Sequence, residues 1–315
     1  MIVKTVQSFP SVEALNLKQK PLYVAIGIFD GLHLGHRAVI KAASDAAKLA
    51  GGCVVVLTFR PHPSRIFRPN VPTLLMQNET TQVSLLSELG VDAVVVHTFL
   101  AEFATIEAKA FLAWLKSKWV NLAGVFVGET WRFGAGRAGD IELLKSSALP
   151  LGISVTAIAS VTSGGAPVNS TRIRSLLLSG EIAAAKQLLG YTYFSTGKIE
   201  SGKKLGRTIG FPTLNTFYSP ELRPRFGVYA VRVCGKGLSL PAVANYGLRP
   251  TVENASDPKL ETHILEPGVC PFNAGDEITV QWLEFIRPET KFSSLDELKA
   301  QITKDVDSAK GVFGI

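Results

Sequence analysis

The apolar pattern of this 315-residue chain changes period once, at about residue 190, and that change divides what the chain can fold into. Before it, short β-branched runs at 23–29, 53–59, 91–97, 123–128 and 153–159 alternate with stretches of helical period at 35–49, 80–89, 107–119 and 140–148. Parallel strands need a crossover for every return, so strands and helices taken in turn predict a doubly wound, Rossmann-like parallel sheet of the α/β class. Residues 170–190 read as a bridging helix broken at Gly180. From residue 192 the apolar runs are short and alternating, at 228–233, 240–244, 260–265 and 277–285, with Gly and Pro turns between them. That spacing predicts a small antiparallel β-barrel. Leu295, Leu298, Ile302 and Val306, at helical spacing behind Ser294, predict a terminal amphipathic helix laid on the barrel. Two domains are expected, 1–186 and 187–315.

Composition narrows the class. Hydrophobic residues at 46% and charged residues at 19% are those of an ordinary globular protein, not of a disordered one. Residues 1–20 hold no continuous apolar stretch, so neither a secretory leader nor a membrane span is expected there, and the expected compartment is the cytoplasm. Cys53, Cys234 and Cys270 are too few and too far apart for a disulfide framework or a cysteine zinc site, and Cys53 is expected in the core. The net charge of +7 is uneven: residues 1–190 carry 18 Lys and Arg against 12 Asp and Glu, and residues 191–315 carry 15 against 14. A positive excess suits anionic small substrates or nucleic acid. No basic block is long enough to favour nucleic acid, so the expected partners are small molecules, with no nucleic acid or membrane and at most a weak homo-oligomer.

Where the first strand gives way to the first helix stands Gly27-Ile28-Phe29-Asp30-Gly31-Leu32-His33-Leu34-Gly35-His36. Open α/β sheets bind ligands at such a place. Gly31 and Gly35 permit close backbone approach, the helix start offers N–H groups to an anion, and His33 and His36 supply donors for charge on a phosphate. The alternatives are a structural histidine pair or, with His62, a metal site. Further along, Ser170 and Thr171 cap a helix whose first turn holds Arg172 and Arg174, a set that suits a polyphosphate or, standing alone, an ordinary solvated helix.

The Phe29-Asp30-Gly31-Leu32-His33 form resembles the nucleotidylyltransferase superfamily, and within it the FMN adenylyltransferase half of bacterial bifunctional FAD synthetases. Thr58-Phe59-Arg60-Pro61-His62-Pro63, Gly128-Glu129-Thr130-Trp131-Arg132-Phe133-Gly134 and Asn169-Ser170-Thr171-Arg172-Ile173-Arg174 are similar to the family's later segments. The resemblance implies nucleotide contacts from Gly27, Phe29, Asp30, Gly31, Gly35, Ser170 and Thr171, and flavin contacts from His62, Pro63 and Thr130. It makes His33, His36 and Arg172 the catalytic groups for attack of the FMN phosphate on the α-phosphorus of ATP, with pyrophosphate leaving. The chain departs from the family pattern at Ile28, where Asn is common, at Thr130, where Asp or Asn is, and at Asn169, where Ser is.

A second constellation opens the barrel region. Gly197-Lys198-Ile199-Glu200-Ser201-Gly202-Lys203-Lys204-Leu205-Gly206-Arg207-Thr208-Ile209-Gly210 is rich in glycine and lysine and is not a Walker sequence, yet such a loop can wrap phosphates through backbone N–H groups. A plain barrel turn is the alternative. Thr213 and Asn215, two apart on an extended strand, present two neutral oxygens that suit Mg2+. The run into Phe211-Pro212-Thr213-Leu214-Asn215 resembles the riboflavin kinase signature, as do Val243-Ala244-Asn245-Tyr246-Gly247-Leu248-Arg249-Pro250-Thr251, Glu261-Thr262-His263 and Arg287-Pro288-Glu289-Thr290-Lys291-Phe292. By that resemblance Glu261 is the general base for the ribityl hydroxyl. The same resemblance implies that Gly202, Lys203, Gly206, Arg207 and Gly210 hold ATP and that Arg249 meets the flavin. Residues 267–275 depart from the family's acidic, tyrosine-containing loop.

Taken whole, the resemblance implies riboflavin phosphorylation to FMN in the second domain and adenylylation of FMN to FAD in the first, with ATP, riboflavin and FMN as substrates. Two alternatives are a kinase with an impaired adenylyltransferase half, and a flavin-sensing or RNA-binding module. Against the last stands the lack of aromatics alternating with cations along one strand.

Overall fold

The computed structural model describes residues 6–201, 210–248, 258–266 and 270–315. The chain forms two compact units, Met1–Ser170 and Thr171–Ile315.

In the first unit, β1 (Gln7–Phe9), β2 (Leu22–Ile26), β3 (Cys53–Arg60), β4 (Ala93–Thr98), β5 (Leu122–Gly128) and β6 (Ser154–Ile158) make a parallel sheet in the order β1-β4-β3-β2-β5-β6. The central strands are apolar on both faces, as helices on each side require, and Val54 through Phe59 of β3 are all buried. β1 was not expected: Gln-Ser-Phe is a three-residue edge strand without an apolar run, and pairing with β4 holds it in place. The crossovers carry α1 (Leu34–Leu49), α2 (Ser64–Phe67), α3 (Glu79–Glu88), α4 (Ala101–Ala104), α5 (Ala108–Lys118) and α6 (Ile141–Ala148). α1 turns Val39, Ile40, Ala43 and Ala47 onto the sheet, and the Val and Ile side chains each contribute about 1.5–3 kcal/mol by leaving water. Cys53 is half-buried against the core, and none of the three cysteines is in a disulfide. Strand order reverses between β2 and β5, so their carboxyl ends border a topological switch point.

The second unit takes up α7 (Ser170–Ser179) from Thr171 onward and continues with α8 (Ile182–Leu189), the two parted at Gly180. There φ is +85° and a Cβ would stand 3.1 Å from the Phe285 ring, so glycine makes the break. A closed barrel follows, from β9 (Phe194–Glu200), β10 (Leu214–Phe217), β11 (Gly227–Gly235), β12 (Leu238–Gly247), β13 (Lys259–Ile264) and β14 (Glu277–Pro288), in the order β10-β13-β12-β11-β14-β9. β9 and β10 lie where the sequence shows no clear alternation. Inside, Tyr193, Tyr218, Tyr229 and Tyr246 surround Trp282 edge to face or tilted. The terminal helix α9 (Leu295–Phe313) is capped by Ser294, whose hydroxyl accepts the Glu297 N–H at 3.2 Å. Its Val306 and Ala309 pack on Val228, Ala230 and Val243 of the outer barrel wall.

One ion pair fastens that helix. The Arg287 guanidinium donates from Nε and Nη2 to the two oxygens of Asp305, each at 2.7 Å, and Asp305 is 4% exposed. Removing one partner of a buried pair leaves the other charge stranded. Asp305→Ala is therefore expected to lower stability by about 3 kcal/mol, read as a lower denaturant midpoint.

Candidate active sites

The β2–α1 turn is wound tightly. Phe29, Gly31 and Leu32 all have positive φ, at 52°, 82° and 39°. For the two side-chain-bearing residues that conformation is held at a cost of order 1–3 kcal/mol each, which the surroundings must offset. Phe29 and Leu32 are buried, and Gly27 leaves room for the Phe29 ring, which a Cβ there would meet at 3.2 Å. The carbonyl of Ile28 accepts from the Thr58 hydroxyl at 2.9 Å and the Gln82 amide at 2.7 Å. Both Asp30 carboxylate oxygens take the Met76 N–H, at 3.0 and 3.2 Å, and the Asp30 carbonyl accepts the Ser170 hydroxyl at 3.0 Å.

This scaffold presents the histidines. His33 is the N-cap of α1, and its Nδ1 accepts the His36 N–H at 3.3 Å. With Nδ1 accepting, the proton of the neutral ring sits on Nε2, which becomes a donor. The His36 ring stacks on His33, with centroids 3.6 Å apart and planes at 18°, and meets the Phe29 ring edge-on at 5.3 Å. Gly35 permits the stack: a Cβ there would lie 3.2 Å from the His33 ring. No acidic residue stands in the first turn of α1, so no carboxylate of the helix itself offsets its positive end.

The loops after neighbouring strands bring the flavin candidates to the same edge of the sheet. His62 and Pro63 follow β3, where His62 Nδ1 lies 2.9 Å from Ser64 Oγ and accepts the Ser64 N–H at 3.0 Å. Thr130 follows β5 and lines a shallow pocket with Trp131, Arg132 and Asp140. The Ile28 side chain packs on the apolar core, while its carbonyl holds the turn. Thr171 and Arg172 stand in the first turn of α7, Thr171 exposed and Arg172 partly buried. No group of three or more His, Cys, Asp or Glu able to hold a metal occurs among the described residues.

On the barrel, a cavity of about 310 Å³ lies between the outer wall and α9. Phe211, Thr213, Asn245, Glu261, His263 and Glu289 are among its lining residues. Asn215 is the register partner of Glu261 across β10 and β13, and Glu261 is the partner of Asn245 across β13 and β12. His263 Nδ1 lies 2.8 Å from the Pro212 carbonyl, tying the segment that carries Thr213 to β13. Gly210, at φ 90°, is exposed. Gly202, Lys203, Gly206, Arg207 and Arg249, together with residues 267–269 of the departing loop, lie outside the described residues.

Residues 15–172 match the family model described as FAD synthetase, and residues 189–313 match that of riboflavin kinase. A bifunctional riboflavin kinase/FMN adenylyltransferase of Escherichia coli (strain K12) is 37% identical over 304 residues, covering 95% of this chain and 96% of that one. The chain belongs to this bifunctional family. Relatives of the same name from Listeria monocytogenes serovar 1/2a and Bacillus subtilis (strain 168) are 34% and 30% identical, over 92% and 99% of this chain and 92% and 98% of theirs. A solved structure named as a macrolide-efflux protein from Streptococcus pneumoniae matches with a TM-score of 0.85 at 27% identity, over 97% of this chain and 99% of that one. Efflux is said of that protein. No helix among the described residues of this chain is long and apolar enough to cross a membrane.

As a member of the riboflavin kinase/FMN adenylyltransferase family, the chain is an enzyme of flavin cofactor biosynthesis. Sequence reasoning missed the residues that brace the FAD synthetase turn. Gln82, 2% exposed, accepts from Arg60 Nε and Nη2 at 3.2 and 3.0 Å while donating to Ile28. Nothing in the weakly patterned α3 signals this. Gln82→Ala leaves Ile28 with the Thr58 hydroxyl alone and takes an acceptor from Arg60. We expect it to cost about 1–3 kcal/mol and to slow adenylylation of FMN, measured by denaturant midpoint and FAD formation, with riboflavin phosphorylation kept.

Proposed function

We propose that residues 187–315 phosphorylate riboflavin and residues 1–186 adenylylate the FMN so formed, with particular residues carrying each step. In the first reaction Glu261 takes the proton of the ribityl hydroxyl, whose oxygen attacks the γ-phosphorus of ATP, and ADP leaves. The supporting observation is the position of Glu261 in the cavity wall with Thr213, next in register to Asn215. Hard, neutral oxygens of this kind suit a hydrated Mg2+, and Thr213 and Asn215 would hold it. Such an ion supplies charge neutralisation at the nucleotide phosphates. The Gly- and Lys-rich loop, through Gly202, Lys203, Gly206, Arg207 and Gly210, would hold ATP, and Arg249 the flavin.

In the second reaction an oxygen of the FMN phosphate attacks the α-phosphorus of ATP and the bond to the β-phosphate breaks. FAD and pyrophosphate result, with no covalent enzyme intermediate. The stacked His33 and His36 at the N-terminus of α1 carry this reading, since a helix N-terminus favours an anionic phosphate chain. Gly27, Phe29, Asp30, Gly31, Gly35, Ser170 and Thr171 shape or line the nucleotide site, and Arg172 neutralises the departing pyrophosphate. His62, Pro63 and Thr130 meet the flavin. The proposed compartment is the cytoplasm, and the proposed partners are these small molecules.

Supplying FMN and Mg-ATP without riboflavin tests the adenylyltransferase half by itself. One pyrophosphate per FAD is the expected yield. FMN returned unchanged would leave a kinase only.

A further inference from the structure

Beside Glu261 the outer barrel wall holds a second carboxylate that the roles above leave unused. Glu289 follows β14 directly, and its side chain folds back over Gly247 at the end of β12. A Cβ at residue 247 would stand 1.8 Å from Glu289 Oε1 and 2.2 Å from its Cδ, so this seat depends on glycine. From it the carboxylate stands over the face of β12 that also carries Asn245, two residues back along the strand. Asn245 is directly opposite Glu261 in the β12–β13 ladder, and opposed residues of antiparallel strands share a face with Cβ atoms about 4.5–5.5 Å apart. All three side chains line the same cavity. Desolvation pushes the Glu289 carboxyl above the usual carboxylate range, with the Asn245 amide and the Arg287 charge pulling the other way.

An asparagine amide has two unlike ends of nearly equal size, and a fixed acceptor decides which end points where. An Asn245 N–H given to Glu289 would leave the amide carbonyl on the side away from the carboxylate. We propose that Glu289 is a positioning residue of the kinase site, holding the Asn245 amide in one orientation beside Glu261 so that its carbonyl accepts from a hydroxyl of the ribityl chain. The inference rests on the reading of Glu261 as general base. Glu289 touches no reacting atom; its effect passes through Asn245, and it aligns the hydroxyl that Glu261 deprotonates.

The test compares steady-state riboflavin phosphorylation with FMN adenylylation in the full chain and its variants. Glu289→Ala is expected to lower kcat for phosphorylation by about tenfold or more, with a smaller change in KM for riboflavin. Gly247→Ala, which keeps both side chains and blocks the seat, should fall in the same way. Glu289→Gln retains an oxygen acceptor and should return to within about threefold of the wild-type rate. Adding Glu289→Ala to Asn245→Ala should cost nothing further, because both act through one contact. Adenylylation should hold steady throughout. Wild-type kcat in Glu289→Ala, Glu289→Gln as slow as Glu289→Ala, or losses that multiply in the double variant would each overturn the inference. A wild-type chain that forms no FMN from riboflavin would instead sink the functional reading, and the inference with it.

Discussion

His36→Ala is expected to slow FAD formation from FMN by about 100- to 1000-fold while riboflavin phosphorylation continues at its wild-type rate. The size follows from what a preorganised donor is worth where charge develops on a phosphate, about 3–4 kcal/mol of barrier. His36 is preorganised in two ways. Its ring lies between the face of His33 at 3.6 Å and the edge of Phe29 at 5.3 Å, and its backbone N–H is taken by His33 Nδ1. The fold should survive, because His36 is a first-turn residue whose backbone contact with His33 the alanine keeps. His33→Ala would also remove the helix cap, worth about 1 kcal/mol, so its lost activity would mix catalysis with stability. Parallel assays of FMN turnover and riboflavin turnover separate the two: a fall in both after His36→Ala would contradict the assignment.

Glu261→Gln is expected to lower FMN formation by about 1000-fold, in the range that general bases supply, and to leave conversion of added FMN to FAD intact. The substitution preserves size and hydrogen-bonding shape, and Glu261 is a partly buried strand residue between Asn215 and Asn245, so the barrel has little reason to move. What is lost is the ability to take a proton. A variant that phosphorylates riboflavin within a few-fold of the wild-type rate would show that the ribityl proton goes elsewhere.

Much of this was legible before any coordinates, for reasons that differ by region. The strands at 53–59 and 123–128 announced themselves because both faces are covered and nearly every residue is apolar. The turn from Gly27 to His36 stands out as a candidate phosphate site because its glycines and histidines are adjacent in the chain. β9 and β10 were not readable: Phe194–Glu200 and Leu214–Phe217 become strands by closing the barrel against β14 and β13, which no local alternation reports. The bracing of Ile28 by Thr58 and Gln82 escaped for the same reason, since its partners stand 30 and 54 residues away. Asp30 carried a further lesson. The residue is 2% exposed and its carboxylate takes the Met76 N–H, a partner 46 residues away that its place in the motif does not report. Asn245, Gly247 and Glu289 sat inside motifs quoted for their resemblance, but only the fold brings Glu289 over Gly247.

The central claim is that one chain carries out both steps. Its most direct test is a time course of the purified protein with riboflavin and Mg-ATP, with flavins separated by chromatography. The account predicts that FMN appears first, passes through a maximum and gives way to FAD. FMN that accumulates without FAD, or riboflavin that persists unchanged, would contradict it.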